Sequence, residues 1–252
     1  MSKLTNKVAI VTGASKGIGA AIATYFAAEG AKVVVNYVAS KAGADQVVKA
    51  ITDNGGTAIS VQADVSNEAG VARLFAETQA AFGTLDILVN NAVHQQYLPL
   101  DQASANAFQQ HFTVNVLGPV LTSQAAVKLF GEKGGNIINI SSGASKMPMA
   151  GVALYSATKA ALDALTISLS KELGPKNIRV NSILPGATAT EGAASAGVTA
   201  GSEAEAMFIA HTPLGRRGQP DDIAKVAVFL ASEEAAWITG EQLSVSGGMY
   251  GF

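Results

Sequence analysis

The chain has no cysteine, which excludes a disulfide framework, thiol catalysis and thiolate metal sites, and loses nothing in a reducing cytosol. Histidine is nearly as scarce, and His94, His111 and His211 are scattered, so no metal site is expected. There is no excess of positive charge: 17 Lys and Arg stand against 19 Asp and Glu, for a net charge of -2. Neither nucleic acid nor an anionic membrane is therefore an expected partner. Charged residues make up only 14% of the chain and apolar ones 48%. That balance excludes intrinsic disorder and points to a surface partly covered by other copies. No apolar run approaches the ~18 residues of a membrane span, and the opening Met1 to Lys7 lacks the apolar stretch of a signal peptide. A cytoplasmic protein is expected.

What the chain does contain is a rhythm of short β-branched runs, starting at Lys7, Lys32, Thr57, Leu85, Asn136, Ile178 and Glu241. They are continuously apolar rather than alternating, as strands buried on both faces are. Segments of helical spacing lie between them: Ile18 to Glu29, Ala42 to Thr52, Asn67 to Phe82, Asp101 to Phe130 and Leu154 to Leu173. Strand and helix alternate without a linker, which predicts a single α/β domain over residues 1–252, a parallel sheet wrapped by helices on both sides. The exception is a small-residue stretch around 187–215. It follows a strand ending in Pro185-Gly186, and ligands bind outside the carboxyl ends of such strands, so it reads as a lid; a plain surface loop is the alternative.

The first strand ends in Thr12-Gly13-Ala14-Ser15-Lys16-Gly17-Ile18-Gly19 and a helix follows. Glycines there permit a tight turn, and a helix N-terminus offers free N–H groups to a phosphate. The spacing is not that of a nucleotide triphosphatase loop. This turn, Asn90-Asn91-Ala92, Tyr155-Ser156-Ala157-Thr158-Lys159 and Pro185-Gly186 together resemble the short-chain dehydrogenase/reductase family over nearly the whole chain. The resemblance implies a Rossmann fold, a doubly wound seven-stranded parallel sheet ordered 3-2-1-4-5-6-7. It also implies oxidation or reduction of an alcohol or carbonyl with a nicotinamide cofactor.

An acid about 20 positions after the first glycine would bind the ribose of NAD and repel a further phosphate. Val35-Asn36-Tyr37 stands there instead, and Lys16 places a cation nearby, so NADP(H) is expected over NAD(H). Ser40 and Lys41 are further candidates for the phosphate; alone, Lys16 reads equally as a solvated charge. The resemblance assigns Asp64 and Val65 to the adenine, Asn91, Ala92 and Val93 to the nicotinamide ribose region, and Pro185, Gly186, Thr188 and Thr190 to the carboxamide and pyrophosphate.

Tyr155 and Lys159 are four apart and share one helix face. A tyrosine of ordinary pKa ~10 is a poor base, and an ammonium about 4 Å away supplies roughly the 4 kcal/mol that a three-unit drop requires. Tyr155 is thus the expected general acid and base, with Lys159 also anchoring the nicotinamide ribose, as the resemblance implies. Ser142, thirteen residues earlier, sits at the family interval and would stabilise charge on the substrate oxygen. Its neighbour Ser141 would point to the other face. The resemblance makes Asn115 the fourth catalytic residue, holding a water that links Lys159 to solvent.

The family writes glycine where this chain has Val93, and a β-branched side chain is disfavoured at positive φ. His94, Ala144, Met149 and Met207 are expected to line the substrate pocket with Ser142 and Tyr155. An apolar, adaptable pocket suits a small-molecule ketone or a 3-oxoacyl chain. The expected reaction is NADPH-dependent reduction of a ketone to a secondary alcohol. A 3-oxoacyl-carrier-protein reductase would need docking cations, for which Lys128, Lys133 and Lys176 are candidates; a non-catalytic NADPH sensor is the third reading. The resemblance implies a homotetramer, packed through Asp101 to Phe130 and Leu154 to Leu173, with Met249, Tyr250 and Phe252 in a second interface; packing of that end against its own subunit is the alternative.

Overall fold

The computed structural model describes residues 2–249. Seven strands, β1 (Val8–Val11), β2 (Lys32–Tyr37), β3 (Thr57–Gln62), β4 (Ile87–Asn90), β5 (Gly135–Ile140), β6 (Ile178–Pro185) and β7 (Gln242–Val245), pair in parallel. Their order is β3-β2-β1-β4-β5-β6-β7, the order that the family resemblance implies. Flanking helices are α1 (Gly17–Ala28), α2 (Lys41–Asp53), α3 (Glu68–Phe82), α4 (Ala105–Phe112), α5 (Gly118–Phe130), α6 (Ala153–Leu173), α7 (Glu191–Ser195), α8 (Glu203–Ala210) and α9 (Pro220–Ala231).

Both faces of the sheet are covered, which explains why the strands carry no polar alternation. In β2, Val33 and Val35 join Ile22, Phe26 and Ile223 in one buried layer, whereas Val34 joins Leu74 and Phe130 in the other. Successive side chains thus serve opposite layers. The order of connection reverses between β1 and β4, and this opens a crevice at their carboxyl ends.

Two expectations are corrected. Asp101 to Phe130 is not one helix but a 3₁₀ turn at Leu100–Gln102, then α4, a π turn at Thr113–Leu117, and α5. Pro119 lacks an N–H, and its ring excludes the carbonyl four residues back, that of Asn115, so the ladder widens where Asn115 stands. The stretch around 187–215 is not a plain loop either. It folds into α7 and α8, each with a hydroxyl cap, Thr190 accepting from Ala193 N–H and Ser202 from Glu205 N–H. Tyr250 and Phe252, expected in a second interface, lie outside the described residues.

Candidate active site

The glycine-rich turn after β1 is held from both sides. Asn36, at the end of β2, accepts from Gly13 N–H at 3.2 Å and donates to the Val61 and Ala63 carbonyls. Asn91 donates to the Thr12 and Gly13 carbonyls, and the Thr12 hydroxyl receives the N–H groups of Asn91 and Ala92. Gly13 has φ +61, and a Cβ on it would come within 2.8 Å of the Ala92 Cα. A Cβ on Gly19 would collide with the Asn91 amide. At the start of α1, Lys16 provides no side-chain cap and the first turn holds no acidic residue of its own, so the leading N–H groups have no capping side chain from the helix itself; the Glu191 carboxylate lies close by, 3.6 Å from where a Cβ on Gly17 would stand. This cradle fits a pyrophosphate, with Gly13, Ser15, Gly17, Ile18 and Gly19 around it.

Asn36 is 1% exposed with its amide fully engaged, and Tyr37 packs in the core. Their expected role as direct ligands is therefore corrected: Asn36 braces the turn that would bind the cofactor. Ser40 and Ser15 flank Gly43, which brings the β2–α2 turn beside the glycine turn. Lys41 is paired with Asp45 at 2.5 Å and holds that carboxyl below its ordinary value, while Lys16 is exposed. Asp64 is exposed and accepts from Ser66 N–H at 3.0 Å; Val65 beside it is buried. Gly186 lies so close to Ser246 that a Cβ would come within 2.7 Å of the Ser246 Cα. Thr188 donates to the Gly186 carbonyl, and Gly186, Thr188, Leu214 and Gly247 line a cavity of about 190 Å³.

Tyr155 and Lys159 lie on the first two turns of α6, 9% and 3% exposed. The Lys159 ammonium sits 5.7 Å from the centre of the Tyr155 ring and donates to the Ile140 carbonyl at 2.8 Å. Burial pushes Lys159 from the usual 10.5 down to about 8. Ser142 follows β5 and its Oγ accepts from Ala144 N–H at 3.1 Å, closing a 3₁₀ turn over Gly143–Ser145. Ser141 points the other way and donates to the Lys159 carbonyl. The end of β5 is thus stitched to the helix that carries Tyr155.

Asn115 is buried, accepts from His94 N–H at 2.7 Å, and donates to the His94 carbonyl and the Thr158 hydroxyl. Its side chain ties the loop after β4 to α6, and with both amide hydrogens committed the side chain has no donor left for a water, whereas its backbone carbonyl, faced by Pro119 four residues on, is released from the helix ladder. His94 is half-buried. Its ring meets the fully buried His111 edge to face, 4.6 Å between centres, with burial lowering its pKa. Val93 does not have positive φ and is 49% exposed, so it sits in ordinary backbone with its side chain outward. Ala144 is buried, whereas Met149 and Met207 are open to solvent.

Sequence reasoning missed several contributors. Arg217, 7% exposed, donates to the Thr188 and Val198 carbonyls and to Glu205, and so pins the lid across its width. Asp163, one turn beyond Lys159, receives the Ser145 hydroxyl at 2.6 Å. Its four-residue spacing from Lys159 was a usable signal; nothing local marks Arg217. Among the described residues no helix is long and apolar enough to cross a membrane, and no group of three His, Cys, Asp or Glu side chains is placed to hold a metal.

A parallel sheet with a phosphate cradle at its first turn and a Tyr–Lys pair beside its reversal point defines a nucleotide-dependent oxidoreductase. A family model described as enoyl-(acyl carrier protein) reductase matches residues 13–250. An uncharacterized oxidoreductase of Methylorubrum extorquens is 54% identical over 99% of this chain and 100% of its own. A 3-oxoacyl-[acyl-carrier-protein] reductase of Synechocystis is 42% identical over 100% of both. The crystal structure of the angucycline C-6 ketoreductase LanV with bound NADP superposes with a TM-score of 0.92 at 35% identity, covering 99% of this chain and 97% of that one. The chain belongs to the short-chain dehydrogenase/reductase family of nicotinamide-dependent oxidoreductases.

Proposed function

We propose that this chain, working as one domain over residues 1–252, reduces a small-molecule ketone to a secondary alcohol with NADPH, reversibly. The observation that carries the reading is the buried Tyr155 and Lys159 pair, stitched to the Ser142 turn at the reversal point of the sheet. The nicotinamide, when bound, supplies the hydride. Gly13, Ser15, Gly17, Ile18 and Gly19 would hold its pyrophosphate, with Asp64, Val65, Asn91, Ala92, Pro185, Gly186, Thr188 and Thr190 along the remainder.

Tyr155 gives its phenolic proton to the substrate oxygen, and takes it back in oxidation. The Ser142 hydroxyl donates to the same oxygen as negative charge grows there. The Lys159 ammonium, beside Tyr155, favours the ionised phenol that remains. Asn115 keeps the wall in place by clamping His94 to Thr158.

Preference for NADP(H) is supported by the absence of an acid at Asn36, by the exposed Lys16 and by Ser40 beside the turn. An apolar substrate is supported by the open Met147, Met149 and Met207. Docking of an acidic carrier is less well supported, since the Lys133 ammonium is already bonded to Thr84 and Asp86. A cytoplasmic homotetramer completes the reading; Phe108, Leu117 and Ile167 leave exposed apolar surface on the helices that would pack. The test is oxidation of NADPH and of NADH with a panel of alkyl and aryl ketones and a 3-oxoacyl thioester. Ketone turnover that is faster with NADPH is expected. Tight NADPH binding without turnover of any of them overturns the reading in favour of a sensor.

A further inference from the structure

The α6 helix buries a second ionisable group that the reaction does not touch. Asp163 is 2% exposed. Its Oδ2 receives the Ser145 hydroxyl at 2.6 Å and lies 3.4 Å from the Lys146 ammonium, while Oδ1 is buried with no hydrogen-bond partner among the described residues. An amide would satisfy Ser145 equally well. A carboxylate with a bare oxygen out of water is unfavourable unless positive charge compensates it.

Two cations are available, Lys146 on the partly exposed turn after β5 and Lys159, one helical turn back, about 5–6 Å away between Cβ atoms. The other groups packed around them carry no charge: the Ile140 carbonyl from β5, Asn115 from the π turn, and the Gln242 amide from β7, which holds the Asp163 carbonyl. Tyr155 shares the helix face of Lys159, and the His94–His111 pair lies beyond Asn115.

We propose that Asp163 is a positioning residue, the buried counter-charge that keeps the Lys159 ammonium protonated, and that the same carboxylate ties the Ser142 turn to α6 through Ser145. The value of this arrangement to catalysis rests on the reading of Lys159 as the partner of Tyr155. Burial alone works against the ammonium, and the Asp163 charge opposes that effect. Lys159 needs such help because its own hydrogen bond is to a neutral carbonyl.

The test reads Lys159 directly in the cofactor-free protein, by NMR titration of its side chain, assigned through Lys159→Met. Asp163→Asn, folded by near-UV dichroism, is expected to lower the Lys159 midpoint by about one unit or more, and Asp163→Glu to restore it. Ser145→Ala, which keeps the charge, leaves the midpoint in place. Lys146→Met, at a partly exposed site, moves it upward, because a competing cation is gone; this variant serves if Asp163→Asn does not fold. A midpoint within about 0.3 unit of wild type in Asp163→Asn overturns the proposal, as does a downward shift in Lys146→Met. With the loaded enzyme, the basic limb of the reductive rate profile is expected to fall with the midpoint. A limb that stays while the midpoint moves refutes the catalytic reading of Lys159 and supports the charge pairing.

Discussion

Replacing Lys159 by methionine should stabilise the cofactor-free protein at neutral pH while destroying its chemistry. The Lys159 side chain is 3% exposed, and burial holds its proton affinity at about 8 rather than 10.5. At pH 7 the folded state therefore carries an unfavourable charge worth about 3 kcal/mol. Between pH 8 and 10.5 the folded state binds fewer protons than the unfolded state, so this contribution makes wild type more stable as pH rises. By pH 10 the penalty shrinks to about 1 kcal/mol. Methionine removes it at every pH, but leaves the Ile140 carbonyl without its donor, which offsets about 1–2 kcal/mol. The variant is thus expected to exceed wild type by about 1–2 kcal/mol at pH 7, with the advantage falling by about 2 kcal/mol at pH 10. Urea unfolding of both proteins, followed by circular dichroism at several pH values, measures the difference, in which other titrating groups cancel. A difference that does not change with pH refutes the reasoning.

Arg217→Met should free the lid: two backbone carbonyls, one buried and one part-buried, lose their donor, so stability falls by about 2 kcal/mol and limited proteolysis cuts within 187–215 at an increased rate. An unchanged cleavage rate would show that the guanidinium does not hold the lid. Asn36→Leu removes three hydrogen bonds around the glycine turn, two of them buried, and a loss of about 2–4 kcal/mol with at least tenfold weaker NADPH binding by fluorescence titration is expected. Gly13→Ala places a methyl group against Ala92 at a left-handed position, and should abolish binding of either nicotinamide cofactor in the same titration.

The parallel sheet was legible because strands buried on both faces leave a continuous apolar run, as in Val8–Val11, whereas the strand order came only from the family resemblance, since no apolar run reports its neighbour. Helical spacing puts Tyr155 and Lys159 on one face, but it was the family resemblance that singled the pair out from an ordinary helix pair. The break around Asn115 was not, since helical periodicity continues through a π turn and only Pro119 hinted at it. Asn36 was placed at the correct turn, but the direction of its side chain depends on carbonyls 25 and 27 residues away. The contact of His94 was illegible for the same reason: its partner His111 comes from α4, and no local pattern reports that contact. Arg217 resembles any loop arginine until the lid folds over it.

The most direct test of the central claim is single-turnover reduction of the best ketone by NADPH-loaded enzyme, wild type against Tyr155→Phe. The phenylalanine keeps the ring beside Lys159 and removes the hydroxyl that carries the transferable proton. The account predicts unchanged NADPH affinity and a reduction rate at least about 100-fold lower. A variant that binds NADPH and reduces the ketone at close to the wild-type rate would contradict it.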